Sequence, residues 1–221
     1  MADNSDTGLL REIDEELRKE HYASLWARFG KLIIAAVVLL VTSVAGYKGW
    51  QTYDISQRTE FGQQFSRASA AAANGDLVAA QDQFSALADQ GTAGYQILAK
   101  LRTAALLAQS GDFSSAAASY RAIATGADTP TDYRDLALTL ASINGLNAGE
   151  TPSVIVDGLS SVIVDDNPWR HTAREIVALA TLEMGNRDEA LDILTALSSD
   201  NEAPAGVRNR AQELILALNA L

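Results

Sequence analysis

The chain has 221 residues, of which 48% are hydrophobic and 20% charged, so it has enough apolar side chains for a folded core and too many for wholesale disorder. Its 28 Asp and Glu outnumber its 17 Lys and Arg, and the net charge of -11 argues against a protein that works by neutralising nucleic-acid phosphates. The sequence has no cysteine, which excludes disulfide bonds, thiolate metal sites and a cysteine nucleophile.

Residues 1–30 are predicted to form a helical lead-in on the cytoplasmic side of a membrane. Leu10, Ile13, Leu17 and Leu25 fall close to one face of this helix, and charged residues occupy the rest of it. So thin an apolar stripe is typical of a solvated helix. The alternative is a docking helix for a cytoplasmic partner.

An apolar segment follows the lead-in. Residues 32–47, LIIAAVVLLVTSVAGY, hold 16 uncharged residues between Lys31 and Lys48. As a helix they span about 24 Å, and the flanking lysines and aromatic rings extend that length toward a hydrocarbon core of about 30 Å. The sequence therefore predicts a transmembrane helix over residues 31–50. Its interface anchors are predicted to be Trp26, Lys31, Lys48 and Trp50.

The apolar segment also fits two alternatives. A buried helix of a soluble protein is one, although such a helix seldom carries aromatic and lysine belts at both ends. A cleaved signal peptide is the second, because Ser43–Ala45 is a small-x-small triplet; the long, acidic preceding segment argues against it. Four Lys and Arg in residues 12–31 against three in residues 48–67 favour a cytoplasmic N-terminus and a C-terminal domain outside the cytoplasm.

Residues 51–221 are predicted to be all-α, because Ala and Leu recur at helical spacing. Gly75, Gly111, Gly149 and Gly185 are separated by 36, 38 and 36 residues, which indicates four copies of one unit. Each glycine is expected at positive φ in the turn between two antiparallel helices. The prediction is a stack of about four helix pairs, closed by a capping helix over residues 205–221 that starts near Pro204.

The copies also agree at three positions around the glycine, seven residues before it and five and nine residues after it. Small residues at the first two positions let paired helices approach closely, and a larger side chain at the third fills the space between copies. The third copy has Gly158 at this last position, as if one residue were inserted near Pro152, and its β-branched second helix is predicted to be the least regular. The positions are Ala68, Ala104, Ser142 and Ala178 seven residues before the glycine, Ala80, Ala116, Val154 and Ala190 five after it, and Phe84, Tyr120 and Leu194 nine after it.

Candidate catalytic groups are few. The two histidines, His21 and His171, lie on opposite sides of the predicted membrane helix, and His171 is interpreted as structural, near a helix start that Asn167 is expected to cap. The acidic pair Asp165-Asp166 is interpreted in the same way, as a favourable charge at a helix N-terminus. Neither GxGxxG nor GxxxxGK[ST] occurs. The sequence therefore predicts no enzyme, no catalytic residue, no metal, no cofactor, and neither a nucleic acid nor a small-molecule substrate.

The small, glycine-acid, alanine, aromatic pattern resembles the tetratricopeptide repeat over most of residues 55–200. It departs from that family at Lys100 and Thr103, where an aromatic residue and a leucine are usual. The resemblance implies a concave wall, formed by the first helix of each pair, that binds an apolar segment of another protein. Packing of these residues against neighbouring repeats is the alternative. The predicted wall residues are Phe65, Ser69, Ala72, Leu98, Leu101, Ala105, Thr172, Glu175 and Leu179.

The whole arrangement also resembles the YfgM-type ancillary subunits of the bacterial Sec translocon. The matching residues are Gly30-Lys31 before the apolar segment, Gly46 to Trp50 after it, and Leu106 to Ala117 in the second copy. The resemblance implies an inner-membrane protein with a periplasmic repeat domain over residues 51–221. It further implies association with the SecYEG channel and a periplasmic chaperone, as an adaptor that assists secreted proteins. The alternatives are a scaffold for envelope assembly or cell division without a Sec link, and a released periplasmic binding protein.

Overall fold

The structure, a computed structural model, describes the backbone of residues 4–220 and the side chains of residues 26–220. Residues 4–220 form nine α-helices and no strand, which confirms the all-α prediction. The contacts divide the chain into two compact units, Met1–Gln57 and Arg58–Leu221. The helices are α1 (Asn4–Ala73), α2 (Leu77–Gln90), α3 (Ala93–Gln109), α4 (Phe113–Ala124), α5 (Thr131–Asn147), α6 (Pro152–Gly158), α7 (Arg170–Glu183), α8 (Arg187–Ser199) and α9 (Ala205–Asn219).

The apolar segment lies within α1 and is exposed. The portion Trp26–Ala73 contains an 18-residue window with a mean hydropathy of 2.2, of which only 6% is buried. This helix is long and apolar enough to cross a membrane, and its exposure argues against the core helix of a soluble protein. The predicted anchors Trp26, Lys31, Lys48 and Trp50 are all exposed. The lead-in is helical from Asn4 onward; the side chains of its predicted stripe and of His21 lie outside the described residues.

The second compact unit is a stack of helix pairs. Each helix from α2 to α8 packs against the next one, and α3 contacts α5, α5 contacts α7, and α7 contacts α9. Contacts between alternate helices are typical of a solenoid, in which the first helix of each repeat packs on the first helix of its neighbour. The first repeat pairs residues 58–73 of α1 with α2, and the others are α3 with α4, α5 with α6 and α7 with α8. The C-terminal α9 covers the last pair, as predicted, and its N-cap is Pro204.

The four glycine turns have one geometry. Gly75, Gly111, Gly149 and Gly185 have φ between +78° and +85°, and no other residue among 4–220 has positive φ. At the second turn the N–H of Asp112 donates to the carbonyl of Leu107 at 3.0 Å, the bond that closes a helix end of this type. The Asp112 carboxylate then accepts the N–H of Ser115 at 3.0 Å and caps α4. Hydrogen bonding to Ser115 lowers the pKa of Asp112 below its ordinary value.

Burial confirms the predicted small and large positions of the first, second and fourth copies, and it corrects the positions after the glycine in the third copy. Ala104 and Ala116 are fully buried where α3 crosses α4, and Tyr120 fills the space beside them. In the third copy the prediction that Val154 lies at the close contact between the helices is wrong, because 60% of that residue is exposed. The buried positions pass to Ile155 and Leu159, each one residue later.

The one-residue shift confirms an insertion before this helix. The helix itself, α6, has only seven residues and is followed by turns up to residue 169, so the third copy is the least regular, as predicted.

Candidate partner-binding surface

The predicted wall is partly interior. Eight of its nine residues are half-buried and the ninth, Glu175, is only 7% exposed. Phe65 packs edge-on against Phe84 with the ring centres 5.2 Å apart, and its ring centre is 6.1 Å from that of Tyr95. These rings join α1, α2 and α3. Phe65 is therefore a packing residue between the first and second repeats.

Three further wall residues also pack on core clusters. Ala72 contacts the cluster that contains Phe84, Leu101 contacts the cluster between α3, α4 and α5, and Leu179 contacts the cluster around α6 and α7. Of the predicted wall, Ser69, Leu98, Ala105 and Thr172 are half-buried and belong to none of the four core clusters among the described residues, and the Ser69 hydroxyl is buried without a hydrogen-bond partner. Leu98, Ala105 and Thr172 therefore remain candidates for contact with a partner.

Glu175 is held by the capping helix. Its two carboxylate oxygens accept from Nε and Nη2 of Arg210, each at 2.6 Å, and this two-pronged pair joins α7 to α9. Hydrogen bonding to Glu175 raises the pKa of Arg210. The carboxylate therefore stabilises the end of the stack, and α9 rather than a partner binds this one wall position.

A groove that the sequence did not predict lies beside the second repeat. It has a volume of about 440 Å³ and is lined by α2, α3, α4 and the loop that precedes α5. We call it the second-repeat groove. Gln96, Lys100 and Thr103 of α3 line this groove, whereas Leu98 and Leu101 of the same helix belong to the predicted wall. Because a helix turns by about 200° over two residues, Lys100 and Thr103 lie on the face of α3 opposite to Leu98 and Leu101.

The sequence held a signal for this groove. Lys100 and Thr103 stand at the two places where the resemblance expects an aromatic residue and a leucine, and both line the groove. Large apolar side chains there would fill the space between the helices. A lysine, whose charged end stays in water, and a short threonine leave it open.

The buried histidine lies at the other end of the stack. His171 is 4% exposed, and its Nδ1 is 3.4 Å from a carboxylate oxygen of Asp200 without the geometry of a hydrogen bond. Burial, assisted by Arg170, lowers the pKa of His171 below its ordinary value, while Asp200 acts in the opposite direction. Among residues 26–220, no group of three His, Asp or Glu side chains is placed to hold a metal ion.

The start of α7 differs from the prediction. Asn167 accepts the N–H of Trp169 at 2.9 Å in a turn that precedes the helix, and α7 begins only at Arg170. Asp165 is also in this turn region, where its carboxylate pairs with Arg174 at 2.8 Å. The capping interpretation of Asp165 is therefore wrong.

Comparison with known families agrees with the repeat geometry. The sequence model of the tetratricopeptide repeat-like domain matches residues 23–148. The chain belongs to this family. The matched range covers the exposed apolar part of α1 and the first helices of the stack, and the positive-φ turns at Gly149 and Gly185 carry the repeat on to α9. Comparisons with curated proteins and with solved structures give no match. Repeat domains of this kind are typically non-catalytic scaffolds that bind other proteins.

Proposed function

We propose that this tetratricopeptide repeat-like protein is a non-catalytic adaptor that is anchored in a membrane and binds other proteins through its repeat stack. The observation that carries the proposal is that one chain joins an exposed apolar helix to a stack of helix pairs. An exposed apolar surface of this size is unstable in water and calls for lipid around it. A solenoid offers an extended surface to a partner.

The proposed topology places residues 1–30 in the cytoplasm, residues 31–50 in the bacterial inner membrane and residues 51–221 in the periplasm. The Lys and Arg balance and the exposed anchors Trp26 and Trp50 support it. A variant that lacks residues 1–50 should leave the membrane fraction, and protease added to spheroplasts should digest the repeat domain of the full chain. Retention of the truncated variant in membranes contradicts the anchor. Loss of about 45 residues from the mature chain, measured by mass spectrometry, identifies a cleaved signal peptide instead.

The proposed partners are the SecYEG channel and a membrane-anchored periplasmic chaperone, and the proposed role is to assist secreted proteins as they emerge. The support is the resemblance to the YfgM-type subunits in the sequence around the membrane segment. A photo-crosslinking residue at Leu98 or Thr172, two half-buried wall positions, tests this in intact cells. Val78 on α2, which is 74% exposed, is the matched control position.

The expected result is adducts with translocon or chaperone subunits from Leu98 and Thr172 and none from Val78. Adducts with division or outer-membrane assembly proteins, and none with the translocon, would contradict the Sec link and select the envelope-scaffold alternative. Equal adducts from all three positions would contradict the wall as the binding surface.

A further inference from the structure

The fourth repeat has a groove that corresponds to the second-repeat groove. It has a volume of about 350 Å³ and is lined by α7, α8, Asp200 at the end of α8, and Ile163, which lies between α6 and α7. We call it the fourth-repeat groove. The turn glycines Gly111 and Gly185 are 74 residues apart, and the same shift relates residues of the two grooves. The related pairs include Lys100 and Arg174, Thr103 and Val177, and Ala122 and Ala196.

A basic residue on the first helix of the pair thus lines both grooves. In the fourth repeat this residue, Arg174, is engaged by the chain itself. Its Nη2 donates to the carbonyl of Ile163 at 3.0 Å and to the carboxylate of Asp165 at 2.8 Å. In the segment between α6 and α7, the apolar residue Ile163 therefore lines the groove, and Asp165, two residues later, pairs with Arg174.

The corresponding cation of the second repeat is unpaired. Lys100 is exposed, and within the part of the chain whose side chains are described its ammonium group makes neither an ion pair nor a hydrogen bond. Asp128 also lines this groove without pairing with Lys100. The corresponding residues of the second repeat, 85–95, are the end of α2, the two-residue link Gly91-Thr92 and the start of α3, and no carboxylate among them pairs with Lys100.

Lys100 is also one of few positive charges on an acidic repeat domain. Residues 58–221 contain 20 Asp and Glu against 11 Lys and Arg, so most of this surface repels an acidic ligand. Lys100 shares its unpaired state with Arg102, which is two residues away and hence on the opposite side of α3. Lys100 lines the second-repeat groove and Arg102 does not.

We propose that the second-repeat groove binds an extended acidic segment of a partner protein, in which an Asp or Glu follows a branched apolar residue by two positions. The carboxylate pairs with Lys100, and the apolar side chain lies along the groove, as Asp165 and Ile163 do in the fourth repeat. This site is separate from the predicted wall, and the proposal does not depend on the Sec translocon or on the membrane topology.

The test uses the chain's own segment as the probe. A fluorescent peptide with the sequence of residues 160–167, SSVIVDDN, with blocked ends, is titrated with the full chain in detergent micelles, and binding is followed by fluorescence anisotropy. Lys100→Ala should weaken binding by roughly twofold to fivefold, the range for an exposed ion pair, and Lys100→Arg should restore it. Arg102→Ala is the matched control and should leave binding unchanged. A peptide with Asn at the position of Asp165 should bind as weakly to the unaltered chain as the unaltered peptide binds to Lys100→Ala.

Three results would overturn the proposal. One is the absence of binding to the unaltered chain at millimolar peptide. Another is equal loss of affinity in Lys100→Ala and Arg102→Ala, which indicates attraction by overall charge alone. The third is a concentration-dependent dimer, measured by sedimentation, that Lys100→Ala disrupts, because a second copy of the chain is then the occupant. Lys100 and Arg102 are both exposed, and a thermal unfolding curve for each variant checks that it folds.

Discussion

Replacing Gly111 by Ala isolates the backbone contribution of a repeat turn. Gly111 has φ +85°, and a Cβ added to it meets no atom within 4 Å, so the substitution changes neither packing nor hydrogen bonding. The left-handed conformation costs an L-residue about 1–2 kcal/mol, and this is the expected loss in the free energy of unfolding. For a stack of this size the loss corresponds to a midpoint roughly 2–8 °C lower.

Gly94 in the first turn of α3 is the matched control, because an added Cβ there also meets nothing within 4 Å and its φ is not positive. Gly94→Ala should stabilise the chain by about 0.5–1 kcal/mol, since alanine loses less backbone entropy in a helix. Thermal unfolding of the full chain in detergent, followed by circular dichroism, measures both variants, and Gly111→Asn should fall between Gly111→Ala and the unaltered chain. If Gly111→Ala were as stable as Gly94→Ala, the turns would not hold the left-handed conformation and the repeat geometry would be refuted.

Three other perturbations test the packing and the charges of the stack. Ala116→Leu should cost about 1–3 kcal/mol, because Ala116 is fully buried between α3 and α4; an unchanged midpoint in a denaturant titration argues against this packing. Arg210→Ala should cost about 1–2 kcal/mol, since Arg210 is itself half exposed but its loss leaves the Glu175 carboxylate buried without a partner, and Glu175→Gln in the same chain should recover part of the loss. Burial lowers the pKa of His171, so stability should fall as the pH decreases below the unfolded pKa of about 6.5, where the unfolded chain binds the proton first. In His171→Phe this part of the pH dependence of unfolding should disappear, and its persistence would assign it to other groups.

The repeat could be predicted because its determinants are local. A glycine at positive φ, followed by an acid such as Asp112 that caps the next helix, sets a turn from a few adjacent residues, and the 36-residue period repeats that signal. The register of the third copy was less accessible. Val154 and Ile155 are both β-branched and apolar, and only the packing shows that the second of them faces the core.

The functional surface was harder to predict than the fold. Glu175 has the position of a wall residue, but its availability depends on Arg210, which is 35 residues away in sequence and reaches it only when α9 covers the stack. The second-repeat groove exists because Lys100 and Thr103 stand where the family usually has an aromatic residue and a leucine. A pattern search rewards matches, so it passes over the positions where smaller or charged side chains open a space.

The irregular third copy gives the two grooves their different states. The inserted residue near Pro152 and the early end of α6 release residues 159–169 from the helix, and turns in this segment bring Asp165 to Arg174. Trp169 fixes the far end of the segment, where its indole N–H donates to the carbonyl of Asp132 at 3.3 Å. In the second repeat, where α2 is regular up to Gln90, no such turn brings a carboxylate to Lys100. One local irregularity therefore pairs the cation of the fourth-repeat groove with the chain's own carboxylate and leaves the cation of the second-repeat groove for a carboxylate from another protein.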